Sequence, residues 1–239
     1  MEEKIFMARV AEQAERFDDM VDFLKEVIGG KKEDFTTEER NLLSVGFKNL
    51  IGGKRTAIRT ISAIEQNPKY KKFEAPLTTY KKKIEAELFK QCLDIVAIVK
   101  DQCMANAKDS ESKAFFLKMV GDYYRYVAES ADKDRIEEVK NGALDNYNQA
   151  KTICEQDLGA CNPIRLGLAL NFSVFYFEVM NNHKEACTLG EKALTEALEK
   201  IDDCDEETFR DAKSIIELLK ENLSLWKEEE EGGKEIEDL

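Results

Sequence analysis

With 239 residues, three Pro, twelve Gly and 36% charged side chains, the chain has the balance of long helices rather than of a β-sandwich, and length enough for a substantial core. Its 49 acidic residues against 36 basic ones leave a net charge of −13, which argues against nucleic acid or an anionic membrane as the main partner. Six Cys without a CxxC pair and a single His exclude the common zinc frames and a histidine-based triad, so no metal or other cofactor is expected.

Periodic apolar positions and stop signals divide the chain into about nine helices, with no strand alternation to compete: an all-α fold of antiparallel neighbours joined by short loops. The first helix runs from Glu2 to Phe17 and the second from Asp18 to Ile28, closed by Gly29-Gly30. Thr36 and Glu39 form a capping box for the third, which reaches Gln66 although Gly52-Gly53 lowers its propensity by roughly 2 kcal/mol relative to alanine. The fourth spans Phe73 to Ala105, with Pro76 tolerated in its first turn. Ser110 to Ser130 and Asp132 to Asp157 make the fifth and sixth. Asn162-Pro163 supplies an N-cap and a first-turn proline for the seventh, which stops near Asn181-Asn182 and leaves His183 in an exposed loop. Lys184 to Ile201 and Glu206 to Lys227 complete the set. The longest apolar stretch, Leu166 to Phe177, is short and interrupted by Asn171 and Ser173, and the opening Met1-Glu2-Glu3-Lys4 carries no export signal. A soluble intracellular protein without membrane insertion is expected, in the cytoplasm and with the nucleus open to it. Residues 228–239 hold seven acids and one Lys, so 229–239 reads as an acidic, disordered tail behind a helical domain of residues 1–228.

The functional signal is a spacing. Lys48 and Arg55 lie seven residues apart, as do Lys118 and Arg125, which puts each pair on one helix face. Gly167, Asn171, Val174 and Glu178 share one face of the seventh helix; Leu218, Asn222 and Leu225 share one of the ninth. Four such helices lining one wall would make a groove, basic on one side and amide-bearing and apolar on the other. It would suit a phosphate dianion on an extended peptide, because guanidinium and ammonium groups match phosphate oxygens and Asn bonds a peptide backbone. Chance spacing on solvated faces would produce the same pattern in so charged a chain.

Longer motifs decide between these. Arg40-Asn-Leu-Leu-Ser-Val-Gly-Phe-Lys-Asn49, Gly121-Asp-Tyr-Tyr-Arg-Tyr126 and Asn162-Pro-Ile-Arg-Leu-Gly-Leu-Ala-Leu-Asn-Phe-Ser-Val-Phe-Tyr-Phe-Glu178 resemble the 14-3-3 proteins. Ala11-Glu-Gln-Ala-Glu-Arg-Phe-Asp-Asp-Met20 and Leu218-Leu-Lys-Glu-Asn-Leu-Ser-Leu-Trp226 extend the likeness over residues 2–228. The resemblance implies a nine-helix, cup-shaped protomer with an amphipathic groove, dimerising through its N-terminal helices. It implies a non-enzymatic adaptor in signal transduction that binds Ser- or Thr-phosphorylated clients and regulates their activity, localisation or assembly. The phosphoserine would stand between a basic residue a few positions before it and a proline two after.

Carried over position by position, Lys48, Arg55, Arg125 and Tyr126 would hold the phosphate. Asn171 and Asn222 would bond the client backbone, flanked by Lys118 and Glu178, and Gly167, Leu170, Val174, Leu218 and Leu225 would form the apolar wall. Val10, Ala14, Arg16, Asp19, Ile64, Tyr80, Lys83 and Glu87 would lie in the interface of a homodimer, or of a heterodimer with a paralogue, with Arg16 facing Glu87 and Asp19 facing Lys83. Four departures stand out: Phe17 and Phe47 where many members have Tyr, Val120 at a commonly basic position near the phosphate wall, and Gly53 before Lys54 and Arg55. The two Phe would leave the aromatic packing largely intact, whereas whether Val120 and Gly53 set groove affinity below that of a typical member stays open. The rival reading is a helical-repeat scaffold that binds protein segments without requiring phosphorylation.

Overall fold

A computed structural model of the chain describes residues 1–129, 131 and 134–237, the last eight by backbone alone. The main helices among the described residues are α1 (Glu2–Gln13), α2 (Phe17–Gly30), α3 (Thr37–Glu65), α4 (Glu74–Ile98), α5 (Ser110–Ala128), α6 (Ile136–Asp157), α7 (Pro163–Glu178), α8 (His183–Leu198) and α9 (Glu206–Glu237). A π-helical turn, Val99–Cys103, and a short turn, Met104–Asn106, prolong α4. No strand occurs among the described residues. The chain divides into two compact units, Met1–Ser112 with Tyr126–Val139, and Lys113–Arg125 with Lys140–Leu239.

In the first unit α1, α2, α3 and α4 pack as sequential neighbours around Met20, Leu24, Phe47, Ile51 and Leu88, all nearly inaccessible to solvent. Contact between α2 and α3 depends on Gly46, where a Cβ would meet Leu24 Cδ1 at 2.7 Å. The expected capping box is formed: the Glu39 amide donates to Thr36 Oγ1 at 3.2 Å, and the Thr36 amide donates to Glu39 Oε2 at 2.8 Å. One turn later Arg40, 3% exposed, donates to the Phe35 carbonyl at 3.0 Å and to Ser112 Oγ at 2.8 Å, tying the start of α3 to the start of α5. A buried guanidinium is tolerated because several of its donors are satisfied.

The first helix stops earlier than expected. α1 ends at Gln13, and Glu15, with φ 54°, reverses the chain into α2. No Gly or Pro marks this turn; the left-handed residue is imposed by packing α1 back on α2 through Ala8 and Ala11. A 3-10 turn, Pro68–Phe73, was not expected either, although Asn67 caps it by accepting from the Lys69 amide at 3.0 Å. Helix α3, by contrast, runs unbroken through Gly52-Gly53, and a Cβ added at Gly53 meets nothing within 4 Å. Gly53→Ala is therefore expected to stabilise the protein by about 0.5–1 kcal/mol, read as a higher urea midpoint at unchanged slope.

In the second unit α7, α8 and α9 pack on one another, and Tyr147 of α6 stacks on Phe172 of α7 at 5.0 Å. Asn162 Oδ1 accepts from the Ile164 amide at 2.9 Å ahead of Pro163, as the sequence requires. Asn181, with φ 51°, makes the break between α7 and α8. His183 is not in an exposed loop: it opens α8, half-buried, with its ring 4.2 Å from that of Phe177. On Phe177 lies Trp226 of α9, at 4.7 Å, the only tryptophan in the chain. The acidic tail expected over 229–239 falls at the end of α9, whose backbone is helical to Glu237. Side chains from residue 230 and all of 238–239 lie outside the described residues, as do the expected helix limits Ser130 and Asp132.

Candidate functional site

On the first unit the heptad spacing puts Lys48 and Arg55 on one face of α3. Lys48 is exposed and forms no ion pair among the described residues. Arg55 is held on two sides. Its Nη2 lies 2.8 Å from Glu129 Oε1 and its Nε 3.3 Å from Oε2, a bidentate pairing, while its guanidinium carbon sits 4.0 Å from the centroid of the Tyr126 ring. A guanidinium clamped by a carboxylate fork and an aromatic face loses little further rotamer freedom when it meets an oxyanion.

On the second unit α5 presents Lys118, Asp122 and Arg125, with spacings of four and three that bring all three to one face. Asp122, 6% exposed, is the hub. Its Oδ2 accepts from Lys118 Nζ at 2.8 Å, and its Oδ1 accepts from Tyr147 Oη at 2.7 Å and from Asn171 Nδ2 at 2.8 Å. Arg125, also 6% exposed, approaches Asp122 at 4.0 Å and donates from Nε to Tyr147 Oη at 3.3 Å. Burial, and after it the Asp122 charge, holds the Tyr147 phenol well above its ordinary pKa, so it stays a neutral donor. The cations of this face are thus fixed by a shared carboxylate rather than waving in solvent. Asn171 uses its amide nitrogen on Asp122 and has its carbonyl oxygen to offer.

Close approach of the helices serves the same cluster. A Cβ at Gly121 would meet the Tyr147 ring at 2.7 Å, and one at Gly167 would lie 3.6 Å from Lys118 Cε. Further along α7, Leu170 and Val174 are half-buried and Glu178 is exposed. Across one face of α9 lie Leu218 and Leu225, 48% and 57% exposed, with Asn222 between them, forming no hydrogen bond among the described residues.

Two departures look different in three dimensions. Val120 is fully buried, so it points into the core and not along the cationic face. Phe47 is fully buried as well, and its missing hydroxyl is a matter of packing. The residues expected at a dimer interface fall on the first unit: Val10, Ala14, Arg16, Tyr80, Lys83 and Glu87 are exposed, Asp19 and Ile64 half-buried. Within the chain Arg16 pairs with Asp19.

Sequence reasoning missed Asp122, Glu129 and Tyr147. Asp122 was findable, being four residues after Lys118 and three before Arg125; Glu129 pairs with a residue 74 positions away, and no local pattern announces that.

Residues 7–227 match the family model described as 14-3-3 protein. The chain belongs to the 14-3-3 family. It is 43% identical over 228 residues to 14-3-3 protein 3 of Entamoeba histolytica, covering 94% of this chain and 95% of that one. To 14-3-3 protein 7 of Solanum lycopersicum it is 43% identical over 237 residues, 98% of this chain and 94% of the relative. To 14-3-3 protein beta/alpha-1 of Oncorhynchus mykiss it is 44% identical over 230 residues, 95% and 93% of the two chains. As a 14-3-3 family member the chain is a protein-binding adaptor, not an enzyme. No helix among its described residues is long and apolar enough to cross a membrane.

Proposed function

We propose that this adaptor recognises phosphoserine and phosphothreonine in extended client segments. Lys48, Arg55, Arg125 and Tyr126 hold the phosphate; Asn171 and Asn222 bond the client backbone beside Lys118 and Glu178; Gly167, Leu170, Val174, Leu218 and Leu225 receive its apolar side chains. The observation that supports the reading is that both arginines are held in place, Arg55 by the Glu129 carboxylate and Arg125 by the Tyr147 hydroxyl with Asp122 4.0 Å away, so they are oriented before any ligand arrives. A dianion with three acceptor oxygens offers more to such cations than one carboxylate does. The decisive measurement is a fluorescence-anisotropy titration with matched phosphorylated and unphosphorylated peptides. Binding of the two within threefold of each other would sink the phosphate requirement and leave the phosphate-independent scaffold standing.

The functional unit in this proposal is a homodimer, or a heterodimer with a paralogue, built on the exposed face of the first unit that carries Val10, Ala14 and Tyr80. Rim pairs such as Arg16 with Glu87 and Asp19 with Lys83 are worth little in water, so apolar contact supplies the association. Light scattering at micromolar concentration is expected to give twice the 27.3 kDa chain mass. A single-chain mass would refute the dimer. The proposed place of action is the cytoplasm, and the nucleus for clients found there.

A further inference from the structure

Two thiols far apart in sequence meet inside the second unit. Cys161 precedes α7 and is 4% exposed; Cys204 lies between the 3-10 turn Ile201–Asp203 and α9 and is half-exposed. Both are free, and Cys204 packs against the apolar cluster that contains Cys161, Leu166, Ala197, Ala212 and Leu219. Their sulfurs are anchored to the same helix end. Cys161 Sγ donates to the Ala197 carbonyl at 3.4 Å and Cys204 Sγ to the Lys200 carbonyl at 3.4 Å, two acceptors only three residues apart.

We propose that Cys161 and Cys204 form a reversible intramolecular disulfide, a modification site that ties the α6–α7 connection to the α8–α9 connection. Losing both S–H groups costs the fold little, because the Ala197 carbonyl also accepts from the Lys200 amide at 3.1 Å and the Lys200 carbonyl from the Asp203 amide at 3.1 Å. The accessible partner reacts first. Cys204 thiolate attacks a small-molecule disulfide, forming a mixed disulfide and expelling one small thiolate. Cys161 sulfur then attacks Cys204 sulfur; the protein S–S bond forms, the mixed disulfide breaks, and the Cys161 proton ends on the second small thiolate. Two protein thiols are oxidised and one small disulfide is reduced to two thiols. Burial, and then the neighbouring Cys204 thiol, pushes the Cys161 thiol up to about 12, so the second step is slow near neutral pH.

The test treats the full chain with excess oxidised glutathione at about pH 8, close to the ordinary thiol pKa. The wild type is expected to lose two hydrogens in intact mass and to keep no glutathione, with a non-reducing peptide map joining Cys161 to Cys204. Its thermal midpoint should rise by on the order of 5–10 °C and fall back on adding dithiothreitol. Cys161→Ser should stop at a stable glutathione adduct on Cys204. Cys204→Ser, at the less buried position, should give no bridge to Cys161 even if the first variant folds poorly. A wild-type chain that stops at the adduct, bridges Cys204 to Cys187 instead, or keeps both thiols would overturn the proposal.

Discussion

Phosphopeptide affinity is expected to fall by about 2–4 kcal/mol, roughly 30- to 1000-fold, when either Arg55 or Arg125 becomes alanine. Each arginine would give the phosphate a charge-assisted, geometrically fixed pair of bonds, and each removal also takes one cation from a neighbouring carboxylate. Without Arg55, Glu129 loses its bidentate cation and keeps Arg59 at 3.8 Å; without Arg125, Asp122 keeps its bond to Lys118. Like charge then adds to lost attraction, which is why the effect should exceed that of an exposed ion pair. Asn171→Ala should weaken binding whatever the client side chains, since its amide would hold backbone. The measurement is anisotropy of a labelled peptide carrying phosphoserine with a basic residue before it and a proline two after. Wild-type affinity in both arginine variants would place the phosphate elsewhere on the molecule.

Asp122→Ala should cost about 3–5 kcal/mol of stability, the largest effect we expect from a single polar side chain here. Tyr147 Oη and Asn171 Nδ2 both donate to its Oδ1, Lys118 Nζ to its Oδ2, and the nearly inaccessible Arg125 lies 4.0 Å away. Alanine would leave a buried phenol without its acceptor and take a carboxylate away from Lys118 and Arg125, a penalty well above the net worth of an ordinary hydrogen bond. Asp122→Asn, which keeps an acceptor oxygen but not the charge, should fall between. Urea unfolding of the three proteins gives the order; an alanine variant within 1 kcal/mol of wild type would show that the network contributes orientation rather than stability.

What the sequence discloses and what it hides follow from the range of the interactions. The Thr36 capping box and the Asn162-Pro163 start are encoded within a few residues, and both are found where the spacing puts them. Asn67-Pro68 carries the same logic, an Asn cap before a first-position proline, but the helix behind it is only a short 3-10 turn with too few residues to show a period. The end of α1 is invisible because a glutamate in the left-handed region has no local cause. In the candidate site the cations show themselves by heptad spacing, whereas their carboxylate partners split: Asp122 is local to α5, and Glu129 meets Arg55 only through tertiary packing. Val120 illustrates the converse, a position singled out by the family resemblance that the helix rotation turns inward.

The stack of His183, Phe177 and Trp226 gives the protein a built-in optical label. Because Trp226 is the sole indole, 8% exposed and set on α9 one residue after Leu225, its emission samples the second unit alone, while far-ultraviolet dichroism sums every helix in the chain. Melting curves recorded by the two signals would superimpose if both units unfold as one cooperative block and separate if they do not. Under the proposed function the same emission would register, without any attached dye, a client side chain settling beside Leu225.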